Sequence, residues 1–227
     1  RDRLRSRGLG DVYKRQDQLL YSLPITTTQV VLGKYFALLV VYLIPLAVVS
    51  LYPLLFSQFG EVYLPTSYGS LFAFFMMGAA LLAVGMFLSS LTDNQGFAAG
   101  IGIAAILLNY YSVSLAEYTS STAMGSLIAL YVIALLLGVV IHNLTRNENL
   151  AYGVTLVLIA ALSVAYFVNS SAFEGLLPDI MTKLSLFRQF NSFVNGAFDL
   201  TAIVYYVSVM GFFLFLSVQS MEKRRYN

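Results

Sequence analysis

Long uncharged apolar runs, separated by short polar breaks, dominate the chain from residue 35 onward. The first, residues 35–57, reads YFALLVVYLIPLAVVSLYPLLFS. At about 1.5 Å per helical residue it is long enough to cross a hydrocarbon core of about 30 Å. Pro45 and Pro53 within it would break a soluble helix. In a bilayer, neighbouring helices satisfy the freed carbonyls, so a kink is expected there. Further runs follow at 68–91, 97–115, 124–141, 150–168 and 202–218, none with a charged residue. Some are at the short end of the spanning range, yet their succession predicts an all-α fold, a polytopic transmembrane helix bundle of six spans. No inverted or tandem repeat is evident.

Two segments do not read as spans. In the long connection 169–200, Ile180, Leu184, Phe187, Val194 and Phe198 recur at helical spacing after Pro178, opposite Lys183, Arg188 and Gln189. This pattern predicts an extracytoplasmic amphipathic helix lying on the membrane. A re-entrant pair of short helices, broken near Asn195 and Gly196, fits the same residues. Asp199 stands where an N-cap would open the last span. The second segment, DQLLYSLPITTTQVVLGK at 17–34, carries helix punctuation. Pro24 disfavours helix at Leu23, Thr26 and Gln29 have capping-box spacing, and Ile25 and Val30 stand as a hydrophobic staple. One short helix is expected to end near Leu23 and another to start at Thr27, running past Gly33 and Lys34 into the first span. On residue chemistry this elbow is either an interfacial anchor or a lever passing motion from a soluble partner into the bilayer.

Composition agrees with the membrane reading: 59% of residues are hydrophobic, 11% are charged and mean hydropathy is +0.77. An ordinary soluble domain carries about 25% charged residues. The formal charge of +2 conceals an asymmetry, because residues 1–16, RDRLRSRGLGDVYKRQ, hold 6 of the 13 Lys and Arg. That stretch has neither a helical apolar period nor the hydrophobic core of a signal peptide. It reads as a non-native prefix, with a basic arm on the membrane surface as the alternative, and implies no nucleic-acid partner. Beyond it, 7 basic residues face 9 acidic ones. Lys34, Arg146, Lys223, Arg224 and Arg225 fall at one set of span ends, and only Lys183 and Arg188 at the other. The positive-inside rule then places residues 17–33 and the C-terminus in the cytoplasm.

Little of the sequence points to chemistry. With no cysteine there is no disulfide, thiolate metal site or thiol nucleophile. The nearest approach to a phosphate-binding loop, Gly33-Lys34, has Thr28 where the first glycine belongs and Tyr35 where Ser or Thr belongs. His142 has no second ligand at metal spacing. Asp93, Glu117, Glu148 and Asp199 lie at helix ends, where acids cap or are solvated, so no acid–base pair stands out. Secondary carriers place ionisable groups inside spans, and these spans have none. The notable intramembrane polar residues are Asn109, Ser112 and Ser114, read as interhelical hydrogen-bonding groups with pathway lining as the alternative for Asn109 and Ser112. Gly96 and Gly100 form a GxxxG helix-contact motif.

The run DQLLYSLPITTTQVVLGKYFALLVVYLIPL resembles the segment after the second span of ABC type-2 permeases, in the branch that includes gliding-motility and nitrous-oxide-reductase-maturation permeases. GMFLSSLTDNQ at 85–95 resembles that family's motif at the inner end of a span, and residues 198–206 with SVQSMEKRRY resemble its last helix and tail. The resemblance covers residues 17–227. It implies a non-catalytic permease subunit of an exporter in a bacterial cytoplasmic membrane, with ATP and Mg bound by a partner ATPase and a second permease subunit completing a homo- or heterodimer. It also implies that Gln18, Leu19, Leu20, Ser22, Pro24, Ile25, Thr26, Thr27 and Gln29 form the helix that couples to the ATPase. Gly85, Ser89, Ser90, Asn94 and Gln95 match the second motif, where helix packing and a polar turn are the plain alternative. Family members carry an elbow and about two spans ahead of the coupling helix, so roughly a quarter of a native permease is expected to be missing. A secondary carrier or a non-transporting membrane scaffold is the alternative function.

Overall fold

The structure, a computed structural model, describes residues 25–92, 94–145 and 147–226. The prefix, the expected elbow positions Gln18, Leu19, Leu20, Ser22 and Pro24, and also Asp93 and Arg146 lie outside the described residues. Regular structure among the described residues is helical. The elements are α1 Thr27–Val49, α2 Tyr52–Phe56, α3 Leu64–Ser90, α4 Gln95–Tyr118, α5 Ala123–Thr145, α6 Glu148–Val168, a 3-10 turn Ser170–Phe173, α7 Leu176–Lys183, α8 Leu186–Val194 and α9 Leu200–Tyr226. They supply 6 segments long and apolar enough to cross a membrane, α1 and α2 together forming the first. The fold is thus an all-α bundle of transmembrane type.

The helix boundaries follow from local chemistry. The capping box at the start of α1 forms as its spacing predicts: the Gln29 N–H donates to Thr26 Oγ1 at 3.3 Å, and the Thr26 N–H donates to Gln29 Oε1 at 3.0 Å. The helix continues through Pro45 and breaks later, at Ser50 and Leu51, with Pro53 in the first turn of α2. Proline is tolerated at a first turn because that N–H has no helical partner in any case. Asn94 and Asn147 cap α4 and α6. Asn94 Oδ1 accepts from Gly96 and Phe97 at 3.0 and 3.2 Å, and Asn147 Oδ1 from Leu150 at 3.2 Å.

α3 is the central helix, packed most extensively on α9 and then on α8, α4 and α1. Its small residues Ala73 and Ala80 are fully buried and, with Met77, meet Leu186, Phe193, Ala202 and Tyr206. Short side chains bring backbones close, which favours helix association where apolar burial gives no net drive. Three tyrosines join α1 and α3 in antiparallel register. Tyr35 donates to the Ala79 carbonyl at 3.0 Å, Tyr42 to Phe74 at 2.9 Å and Tyr68 to Ser50 at 3.1 Å. At the far end of α9, Ser220 Oγ donates to the Ser90 carbonyl at 3.1 Å. The start of α1 and the end of α9 therefore lie at one face of the bundle, termed the terminal face below.

α5 and α6 form a hairpin packed chiefly on itself. Thr155 lies against Gly138, and the Tyr131 and Ser163 hydroxyls share a hydrogen bond of 2.7 Å. Toward the opposite face the hairpin is tied to the rest: Gly175 N–H donates to the Ser121 carbonyl at 2.8 Å, and Leu177 N–H to Ser126 Oγ at 3.3 Å. Large apolar side chains such as Val41, Ile44, Leu108, Leu136 and Leu156 point outward and are exposed, as lipid-facing helices require.

Candidate functional site

The connection between the last two spans is a re-entrant helix pair. α7 starts beside Ser121 and α8 ends beside Thr66, which lies 3.3 Å from where a Cβ on Gly196 would stand. Both contacts are at the face opposite the termini. The vertex between α7 and α8, Leu184 to Leu186, reaches Asn109 on α4 and Tyr205 and Tyr206 on α9. Asn109 lies nine residues from the end of α4 and Tyr206 six from the start of α9. The vertex therefore sits about 9–13 Å below those helix ends at about 1.5 Å per residue.

Broken backbone at such depth must find partners within the protein, and here the Leu186 N–H and the Leu184 and Leu186 carbonyls do. Leu186 N–H donates to Asn109 Oδ1 at 3.0 Å, and Asn109 Nδ2 donates to the Leu184 carbonyl at 3.2 Å. Tyr205 adds a second donor to that carbonyl at 2.7 Å, while Tyr206 donates to the Leu186 carbonyl at 2.9 Å. Ser185 caps α8 by accepting from Arg188 N–H at 3.4 Å and donates to the Asn109 carbonyl at 3.2 Å. The vertex thus bridges α4 and α9.

This geometry corrects the amphipathic stripe expected for residues 169–200. Leu184, Val194 and Phe198 are exposed, whereas Leu186 and Phe193 are buried and Phe187 and Phe190 pack beside them. The physical reason is the break at Ser185, which restarts the helical phase, so that Leu186, Phe190 and Phe193 share the buried side. The re-entrant alternative put the break of the pair near Asn195 and Gly196; the two helices instead part at Ser185, and Asn195 and Gly196, with Gly196 at φ 80, follow the end of α8. The deeper break carries a sequence signal after all: Ser185 is a favoured N-cap residue in front of an apolar run.

Beneath the vertex lies a cavity of about 450 Å³. α4 and α9 both pack on α3 but barely touch each other, leaving a notch whose floor includes Leu81 and Val84 of α3. Ala105, Ile106 and Asn109 form one wall, Tyr205, Ser208, Val209, Phe212 and Phe213 of α9 the other, and Leu184 and Leu186 the roof. Ile106, Leu184, Ser208 and Phe212 line the cavity and are also exposed on the bundle surface, so it opens sideways at the gap between α4 and α9, with Ile106 and Phe212 at its rim.

The remaining candidate positions are dispersed. Ile25 is half-buried, Thr26 and Gln29 are exposed and Thr27 is buried, all at the terminal face. Ser112 bonds within α4, donating to the Asn109 carbonyl at 2.7 Å, and does not line the cavity. Gly85 and Gly100 face open space, and a methyl on Gly96 would meet only Asn94 Oδ1 at 3.5 Å. Ser89 and Gln95 are exposed, Asn94 is the cap of α4, and Ser90 joins α3 to α9 through its carbonyl. His142 is exposed in the last turn of α5. On α7, Lys183 pairs with Asp179 at 2.7 Å and both remain exposed, as does Arg188 on α8. Comparison with protein-family models, curated proteins and solved structures finds no match to this chain.

Proposed function

We propose that this chain is the membrane-spanning permease subunit of an ATP-binding-cassette exporter, working with a separate ATPase and a second permease subunit. The observation that carries the reading is the start of α1. The segment that resembles a coupling helix, DQLLYSLPITTTQ, ends in a capping box, and the helix so begun is itself part of the first span. Thr27 and Gln29, at the end of that segment, and the bilayer residues of α1 are then one rigid element. Tyr35 and Tyr42 couple α1 to α3, and α3 packs on α9 and α8, so a displacement of the elbow has a packed route to the cavity and vertex.

In this reading the terminal face is cytoplasmic in a bacterial cytoplasmic membrane, with Lys34 and Lys223 near it and Lys183 and Arg188 toward the other side. The test uses the complete permease with its ATPase. Leu20→Glu and Ile25→Glu are expected to abolish co-purification of the ATPase and the permease's stimulation of ATP hydrolysis. Intact association and stimulation in both variants would refute the coupling role. Flux into vesicles reconstituted with and without the ATPase separates this function from a secondary carrier or a scaffold.

A further inference from the structure

We infer that the cavity between α3, α4 and α9 is a binding site for one hydrocarbon chain of a membrane lipid, entering sideways from the bilayer between Ile106 and Phe212. Its volume of about 450 Å³ falls within the roughly 300–1,000 Å³ of ordinary ligand pockets. Water is a poor occupant, because an enclosed water needs about two to four polar partners and the lining is apolar apart from Asn109, Tyr205 and Ser208, whose hydroxyl hydrogens and amide already bond elsewhere. Tyr205 donates to Leu184, Ser208 to Val204 at 2.7 Å, and the Asn109 amide bonds both sides of the vertex. An empty apolar space forfeits dispersion contacts on every wall. The mouth lies at hydrocarbon depth between two exposed apolar side chains, so acyl chain is the material available to fill it. The roof is the vertex of α7 and α8, and a chain in the cavity therefore rests against Leu184 and Leu186, the residues whose position Asn109 fixes.

The sequence contains no tryptophan, so Phe213→Trp provides a single reporter on the cavity wall and Phe215→Trp a control on the exposed side of α9. The purified full chain in detergent is titrated with phosphatidylcholine brominated at mid-chain and, separately, with brominated stearate. Phe213→Trp fluorescence is expected to fall by about half and saturate near one chain per protein. Saturation with both probes means that the chain alone is recognised; saturation with the phospholipid only means that its headgroup must stay at the mouth. Ala105→Phe, which fills the notch, is expected to weaken the effect by about tenfold or more. In the same background Phe215→Trp should be quenched as before and thermal unfolding should stay cooperative, showing that the bundle still folds. Linear, non-saturating quenching of Phe213→Trp that Ala105→Phe leaves unchanged would overturn the site. So would spontaneous disulfide dimerisation of Phe212→Cys, which puts a second copy in the mouth. The measurement needs no ATPase, so its failure is distinct from failure of the permease reading.

Discussion

Asn109 is an uncharged polar residue in an apolar span, and its neighbours give it a defined task. Its amide accepts from one side of a backbone break and donates to the other, which the planar amide of Asn or Gln does without carrying charge. Removing it leaves the Leu186 N–H without its acceptor, whereas the Leu184 carbonyl keeps the Tyr205 hydroxyl. An unsatisfied buried donor costs about 1–3 kcal/mol, and measured intramembrane bonds average about 0.6 kcal/mol. Asn109→Ala is therefore expected to destabilise the purified protein by about 1 kcal/mol, seen as a melting temperature lower by about 2–4 °C. Ser112→Ala should leave melting unchanged, since that hydroxyl bonds only its own helix. Equal melting of the two variants would remove Asn109 from the vertex. From sequence, Asn109 and Ser112 look alike as polar residues three apart in one span. The segment 75 residues away that Asn109 holds distinguishes them.

Among elements, the α5–α6 hairpin and the re-entrant pair make separate demands. Gly138 has Thr155 Oγ1 where a Cβ would stand, so Gly138→Ala must either turn the Thr155 hydroxyl off the Ala151 carbonyl or part α6 from α5. The expected cost is about 1–3 kcal/mol. Thr155→Ala should recover most of it, and a thermal double-mutant cycle measures the coupling. On α7, the Lys183 and Asp179 side chains are 70% and 55% exposed although they approach the vertex. A charge facing hydrocarbon costs about 2.5–3.5 kcal/mol even by the gentlest scales, so this side of the pair borders water or protein. Lys183→Cys is accordingly expected to react with a charged, water-soluble thiol reagent, while Leu136→Cys, on an exposed apolar face, stays unmodified. Comparable reactivity at the two sites would mean that exposure alone governs labelling. The re-entrant pair is half legible in the sequence: its amphipathic character is, but the break expected near Asn195 and Gly196 lies at Ser185. The stripe was misplaced because a periodicity read across Ser185 assumes one unbroken helix.

For the whole molecule, an even number of spans puts the start of α1 and the end of α9 on the same face, in agreement with the Ser220 to Ser90 hydrogen bond. Which side that face occupies follows from basic residues at span ends. The chain lacks cysteine, so single substitutions report sidedness cleanly. Phe59→Cys, between α2 and α3, should react with a membrane-impermeant maleimide in intact cells, and Asn149→Cys only after lysis. The reverse pattern would invert the topology and detach the elbow from any cytoplasmic ATPase.

Span number, helical class and the start of α1 were determined by the sequence alone, because each depends on local quantities. Uncharged runs long enough to span a bilayer, and a Thr and a Gln three residues apart, act wherever they occur. The tertiary structure decided what those quantities leave open. Apolar spans have many acceptable neighbours, so the central place of α3, the loose attachment of α5 and α6, and the notch between α4 and α9 arise only when particular alanines, glycines and tyrosines meet. The vertex at Ser185 belongs to the same class. Backbone can break at that depth only because Asn109, Tyr205 and Tyr206, remote in sequence, supply the hydrogen bonds that water supplies elsewhere.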